Sequence, residues 1–570
     1  MRSMIARSFA GSVLALLVVG CGGPAMAQGP VKEAPKPEAK AEAKPDPVLP
    51  HHFTPEEKVT TGSVTVGRQR IDYRAIAGTL VVHPKGWDDV SARLNTEEEK
   101  PGGKPSGEEK EGEKGKPLAK AEASVFYVAY FKQGAPTDAR PITFLYNGGP
   151  GSATVWLHMG AFGPRRVVIP SDQHVTAAPY AVVNNDYSLL DASDLVFIDA
   201  PGAGFSRITG PDKEKSFWGV DADAYAFAEF VTQFLGKYGR WNSPKYLFGE
   251  SYGTTRSAVL VNQLETQRLV DFNGVILLSQ ILNFGLDPDT PEADPGVELP
   301  YELALPTYAA TAWYHHKLGS DVPQNLDALV AEVEHFALTE YALALQQGAA
   351  LSDADRDAIA AKLHKYTGLP VDYIRKARLR ITGGEFEKEL QDAQDVTTGR
   401  IDTRFGGPAM DALEKNPDYD PFMASIGSAY VSGFNDYVRK ELKFGEDRTF
   451  RPFAHVDGHW DMSHHPPGNN QPWGSSLNVM IDLATAMKYN PNLRVQLDAG
   501  YFDLATPFFQ GVYEMQHLPM PEKLQSNIEY KFYQSGHMVY AQESSARALH
   551  DNVADFIRRT SATPTPSPRR

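Results

Sequence analysis

The pentapeptide Gly249-Glu250-Ser251-Tyr252-Gly253 constrains this chain more than any other stretch. It follows a short apolar run, Tyr246-Leu247-Phe248, and leads into Thr254 to Val261, which reads as a helix start. A strand that turns at once into a helix through Gly-x-Ser-x-Gly holds the serine hydroxyl out on a strained elbow. The small flanking glycines let the backbone make the turn, and the helix N-terminus favours developing negative charge. Ser251 is therefore the candidate nucleophile, and the fold must supply a strand, a sharp turn and a helix in succession.

With 570 residues, 42% of them hydrophobic and 11% aromatic, the chain can bury a large core and divide into more than one unit. Its net charge of −15 argues against nucleic acid as a partner, because phosphate binding needs clustered Lys and Arg. The single cysteine, Cys21, allows no intramolecular disulfide. Arg2 and Arg7 ahead of the apolar stretch from Phe9 to Val19 read as a secretory signal peptide over residues 1–27, ending in Ala25-Met26-Ala27. Val18-Val19-Gly20-Cys21 also resembles the bacterial lipobox, which makes Cys21 a candidate lipidation site. Either way the reading is export from a bacterial cytoplasm, to the periplasm, to a lipid-anchored position or to the medium, with a lipid on Cys21 as the only membrane attachment. Residues 28–50, nearly all Pro, Ala, Lys and Glu, read as a linker. The charged insert 95–120 reads as a disordered surface loop, and the Pro-rich tail 561–570 as loose.

Between these lies an alternation of strands and helices. Order begins near Gly62 with β-hairpin patterns, and Ala123 to Phe131 is a strand of β-branched and aromatic residues. Ile142 to Tyr146, Leu195 to Asp199 and Gly274 to Ser279 are short apolar runs of the kind buried on both faces of a parallel sheet. Phe227, Phe230, Val231, Phe234 and Leu235 mark one face of a helix between Ala222 and Tyr238. Residues 285–474 then read as mostly helical with no parallel-strand run, a cap inserted into the sheet. Alternation resumes with a helix from Leu477 to Tyr489, strands Leu493 to Asp498 and Ile528 to Tyr533, and a closing helix from Ser544 to Arg559. The expected architecture is an α/β fold of the α/β-hydrolase type, mostly parallel in its central sheet, with core parts 51–284 and 475–560 on either side of a helical cap insertion.

An elbow serine needs a histidine base and a carboxylate to orient it, in the order Ser, Asp, His, each in a loop after a late strand. Asp503 follows one late strand and His537 the other, so both stand where open α/β sheets place their sites. Asp498, at the expected end of the earlier strand, competes with Asp503. Developing negative charge on the attacked carbonyl needs aimed backbone amides. The turn Asn147-Gly148-Gly149-Pro150-Gly151-Ser152, after an early strand, is placed to supply half of them. The adjacent pairs His51-His52, His315-His316 and His464-His465 lack the i, i+4 spacing of a zinc helix, and no cofactor or metal is expected. Arg256, one turn past Ser251, reads as a structural ion-pair partner, and Trp313 and Tyr314 as cap core.

Taken together, Asn147 to Ser152, Asp199-Ala200-Pro201-Gly202-Ala203-Gly204-Phe205-Ser206, Gly249 to Gly253, Gly500 to Asp503 and Gly536-His537-Met538 resemble the serine carboxypeptidases. The resemblance covers the sheet-forming parts, about Ala123 to Ser279 and Leu477 to Arg559. It implies that the amides of Gly149 and Tyr252 form the oxyanion hole and that Asn147 and Glu250 bind the free C-terminal carboxylate of a peptide. Two departures stand out: Ser152 occupies the place of a disulfide-bonded cysteine, and Val539-Tyr540-Ala541 replaces a stretch that usually carries a proline.

A carboxyl beside a substrate carboxylate binds it only if the two share a proton, which raises the apparent pKa of the pair. The alternative role of Glu250 is to complement the helix dipole. The reading is thus an exported serine carboxypeptidase acting through an acyl-enzyme on Ser251, favoured at acidic pH, with peptides bearing a free C-terminal carboxylate as substrates. An esterase or acyltransferase on the same scaffold is the first alternative, and a non-catalytic binding protein the second.

Overall fold

The computed structural model describes residues 53–87, 121–136 and 139–561, apart from 470, 473 and 475. The signal peptide with Cys21, the linker 28–50, His51-His52, the charged insert 95–120 and the tail from 562 lie outside the described residues.

The main sheet is built from β1 (Glu57–Val66), β2 (Gln69–Val82), β3 (Glu122–Lys132), β4 (Ile142–Tyr146), β5 (Asp194–Ile198), β6 (Lys245–Glu250), β7 (Gly274–Leu278), β8 (Arg494–Gly500) and β9 (Ile528–Tyr533). Their spatial order is β1-β2-β3-β5-β4-β6-β7-β8-β9, with a short strand, Arg207–Thr209, paired to the start of β3. The first strands are antiparallel, and from β5 to β9 every pairing is parallel. β4, β5, β6 and β7 are buried along their whole length, because helices cover both faces of the parallel part. After β4 the chain steps to one side, to β5, and then returns to the other side, to β6. That reversal is a topological switch point, where open α/β sheets leave a crevice beyond the strand C-termini. The Asn147 turn leaves the end of β4, and Ser251 leaves the end of β6. The strand order and the parallel half are those of an α/β-hydrolase.

Helix α1 (Val220–Tyr238) buries the face read from its periodicity, including Phe227, Phe230, Val231, Phe234 and Leu235. Helix α2 (Tyr252–Gln267) runs from the elbow and is buried over nearly its whole first half. Within the insertion, α3 (Leu299–Tyr314), α4 (Leu326–Phe336) and α5 (Asp353–Thr367) build a core of their own around Tyr308, Leu329, Val333, Leu363 and Phe386. Leu504, from the loop after β8, is buried in the same cluster.

The rest of the insertion differs from the expected cap. Helix α6 (Pro421–Lys440) turns Phe422, Ile426, Tyr430, Phe434 and Tyr437 into the main core instead. The described residues of 441–469 contain no helix and form a strap across the core, with isolated bridges Gly204↔Arg451, Ser152↔Phe453 and Gly219↔Asp461. The separate cap core is therefore confined to 299–390 plus Leu504. The chain then closes through α7 (Met480–Tyr489), β8, α8 (Phe508–Gln516), β9 and α9 (Glu543–Ser561). Among the described residues no helix is long and apolar enough to cross a membrane.

Candidate active site

Ser251 sits at the elbow with φ 62° and ψ −132°, a conformation that side chains other than glycine rarely adopt. Its N–H donates to the Leu278 carbonyl at 3.0 Å, which fixes the turn against the end of β7. A Cβ on Gly249 would collide with the Gly253 carbonyl oxygen, and one on Gly253 would lie 2.9 Å from the Tyr146 oxygen. Only glycine therefore lets strand, turn and helix pack this closely. Glu250 and Tyr252 on either side are buried, whereas Ser251 is half-buried.

His537 Nδ1 lies 2.8 Å from Asp503 Oδ2. Asp503 also accepts from the Thr506 amide at 3.0 Å and the Thr506 hydroxyl at 2.7 Å, and it is fully buried. The His537 carbonyl accepts from Ser279 Oγ at 2.7 Å, so the histidine loop is tied to the residue next to the one that holds Ser251. No hydrogen bond joins the Ser251 hydroxyl to His537 in this arrangement, a contact that commonly tightens only around substrate. Burial pushes the His537 imidazole down, but the Asp503 carboxylate and then Glu250 outweigh it, and the net direction is up.

Asp498 is placed elsewhere. β8 runs two residues beyond it, to Gly500, and its carboxyl accepts from Tyr533 OH at 2.6 Å and from Gln496 Nε2 at 3.1 and 2.9 Å. Its carboxyl serves the sheet, and Asp503 is the one at the histidine.

Both loops are braced from the insertion. The His537 amide donates to the Ile401 carbonyl at 2.8 Å, Thr403 N to Phe502 O at 2.9 Å, and Leu504 N to Arg400 O at 3.1 Å. Residues 400–404 thus join the aspartate loop to the histidine loop, a support that sequence periodicity does not reveal.

The Asn147 turn packs directly on the elbow. A Cβ on Gly148 would collide with the Tyr252 amide nitrogen and sit 2.6 Å from that of Gly253. Gly149 has φ 106°, and Gly148 O accepts from Ser152 N at 3.0 Å. This places the Gly149 turn beside the Tyr252 amide at the start of α2. At Ser152, where the resemblance leads one to expect a cysteine, the strap pins the loop by its backbone. Ala153 N donates to Pro452 O at 2.9 Å, and Ala454 N to Gly151 O at 2.8 Å. Asp199 steadies the same turn by accepting from Thr154 N at 2.7 Å, and burial pushes its carboxyl up to about 7.

Glu250 and Asn147 meet beside the elbow. The Asn147 Oδ1 accepts from Leu157 N at 3.1 Å, which leaves its amide nitrogen as a donor toward Glu250. Glu250 is 2% exposed, and burial pushes its carboxyl up to about 7 against the opposing pull of His537, Tyr540 and Asn147. Tyr540 OH donates to both of its oxygens, at 3.1 and 2.9 Å. The sequence marks Tyr540 only as a departure from a family pattern.

Arg256 pairs with Asp223 at 2.5 Å, both buried, and its Nη1 donates to the Asn147 carbonyl at 2.8 Å. It is a structural ion-pair partner, one that also holds the Asn147 turn. His464 bridges Asp221 at 2.6 Å and Asp482 at 2.8 Å, tying the strap to α1 and α7. His315 Nε2 lies 2.7 Å from the Thr403 carbonyl, bracing the loop that supports His537. Among the described residues no group of three or more His, Cys, Asp or Glu is arranged to hold a metal ion.

A family model described as serine carboxypeptidase matches residues 116–283. No curated protein matches the chain. Among solved structures, a lipase in its open form overlays with a TM-score of 0.30 at 13% identity, covering 77% of this chain and 96% of that one. A soluble variant of monoglyceride lipase from Saccharomyces cerevisiae gives 0.31 at 11% identity, covering 77% and 93%. Aspergillus niger epoxide hydrolase gives 0.29 at 14% identity, covering 77% and 76%. The assignment of the fold rests on the strand order above, and the family match together with that fold supports a hydrolase. Over residues 116–283, which carry the Asn147 turn and the Ser251 elbow, the chain is similar to the serine carboxypeptidase family.

Proposed function

We propose that the protein is a serine carboxypeptidase that removes C-terminal amino acids from peptides. The observation that carries this reading is Glu250. A buried carboxyl able to hold a proton near neutrality stands next to Ser251 with the Asn147 amide beside it. An ester substrate has no use for such a pair, whereas a peptide's terminal carboxylate needs both a donor amide and a shared proton.

In this reading His537 Nε2 takes the Ser251 proton as Oγ attacks the last peptide carbonyl, and Asp503 holds the imidazole by Nδ1. The amides of Gly149 and Tyr252 stabilise the oxyanion. The tetrahedral intermediate collapses, the C–N bond breaks, and the amino acid leaves with the proton from His537. Water, deprotonated by His537, then releases the shortened peptide from Ser251. No cofactor enters these steps.

Glu250 and His537 lie close enough to influence each other's proton. Arrival of a carboxylate draws a proton onto Glu250 and leaves His537 neutral, as a base must be. Affinity for free-acid peptides is then lost as pH rises through about 7, and catalysis is lost at low pH where His537 keeps its proton. The basic, apolar start of the chain with Cys21 supports an exported or lipid-anchored location.

The test is product analysis on a set of unmodified peptides. Stepwise loss of single residues from the C-terminus, abolished by Ser251→Ala, is expected. Internal cleavage, or turnover of simple esters with peptides untouched, overturns the reading.

A further inference from the structure

Both oxygens of Glu250 accept from one hydroxyl, that of Tyr540. The hydroxyl reaches them because Gly160 has no side chain. A Cβ there would lie 2.6 Å from Cδ2 and Cε2 of Tyr540 and 2.8 Å from the Tyr430 hydroxyl. Gly160 belongs to the buried helical turn Leu157–Phe162, whose first amide also holds Asn147 Oδ1. One turn therefore orients Asn147 and makes room for Tyr540. Tyr540 itself stands in the turn Val539–Ala541, directly after the histidine loop, and is buried. The groups that act on Glu250 are His537 and Asp503 from the two late loops, Asn147 from the β4 turn, Tyr540, and Tyr430 from α6.

We propose that Tyr540 is a positioning residue of the substrate-carboxylate site: its hydroxyl holds the Glu250 carboxyl so that the acid proton points at the incoming peptide carboxylate, with Gly160 supplying the space. The inference rests on the role given to Glu250 above. Tyr540 spends its proton on Glu250, the Asn147 nitrogen can only donate, and the Asn147 oxygen already takes the Leu157 amide. The incoming peptide carboxylate, a charged acceptor, is then the strongest acceptor offered to the proton on Glu250. Without the Tyr540 hydroxyl the carboxyl can turn, and its proton is no longer aimed.

The experiment measures KM and kcat of the wild type and Tyr540→Phe across pH on two substrates. One is an N-blocked dipeptide with a free carboxylate, the other an N-blocked amino-acid methyl ester that has none. Tyr540→Phe is expected to raise KM for the free acid up to about tenfold, the upper range for the loss of one hydrogen bond, with kcat little changed. The inflection of KM with pH moves upward, because a donor to a carboxylate favours its ionised form and its removal does the reverse. Losses on the methyl ester are smaller than those on the free acid, and an unfolding midpoint at the wild-type value shows that the variant is folded. Gly160→Ala, which crowds the ring but keeps the hydroxyl, gives the same split between substrates. An unchanged KM profile, or equal losses on both substrates, overturns the proposal. A wild type that shows no titrating preference for the free acid overturns the Glu250 reading and this inference with it, a result visible before any variant is made.

Discussion

Replacing Glu250 by glutamine removes the one proton on which substrate selection is argued to depend, while keeping the shape of the side chain. The wild-type carboxyl, held at about 7 by burial, is about 99% protonated at pH 5 and about 10% protonated at pH 8. KM for a free-acid peptide should therefore rise about tenfold between those values, with the steep part near 7. An amide at position 250 still donates to the peptide carboxylate but does not titrate. Glu250→Gln should keep measurable binding and lose the slope, leaving any remaining pH dependence in kcat to His537. Stability gives a second readout. A carboxyl whose folded value lies above its unfolded value of 4.5 binds its proton more tightly when folded, so stability falls as pH rises from about 4.5 to about 7. The span converts to about 3 kcal/mol, and the glutamine variant should lack that fall. The assays are initial rates with an N-blocked dipeptide at fixed ionic strength, and denaturant unfolding at pH 5 and 8. A variant with the wild-type KM slope would refute the shared proton and return Glu250 to a helix-dipole role.

Arg256→Met leaves Asp223 buried without its partner and the Asn147 carbonyl without a donor. It should cost about 3–5 kcal/mol in denaturant unfolding, with Asp223→Asn restoring part of the loss in the double variant. His464 has a carboxylate on each ring nitrogen, so although burial opposes its charge, Asp221 and Asp482 raise its folded value to about 9. Its contribution is fully present below the unfolded value of about 6.5 and is lost as pH rises through about 9. Unfolding curves of His464→Asn should lack that alkaline loss. Asp503→Asn should lower kcat by several orders of magnitude by upsetting the histidine tautomer, whereas Asp498→Asn should change stability and leave kcat near the wild-type value.

The parallel strands were legible because each is an apolar run too short for a helix, and the elbow because glycine is the only residue its packing tolerates. Asp503 and Asp498 stand five residues apart in similar company, and only the extra length of β8 separates a loop carboxylate from a sheet carboxylate. The division of the insertion was not legible. The apolar face of α6 has the same helical period as the cap helices, and periodicity does not say which core a face meets. Tyr540, Gly160 and Glu250 form one unit, yet they come from three distant segments, and each taken alone is an ordinary residue. The same holds for His464 between Asp221 and Asp482, where adjacency to His465 hid its true partners.

Under the proposed function, this site selects a peptide by its free C-terminal carboxylate. The most direct measurement is kcat/KM for one N-blocked dipeptide as the free acid and as its C-terminal amide, from pH 4 to 8. A preference for the acid that fades as pH rises through about 7, and is absent in Glu250→Gln, is the result the account predicts. Equal turnover of acid and amide at every pH, with Ser251 active on simple esters, would contradict it.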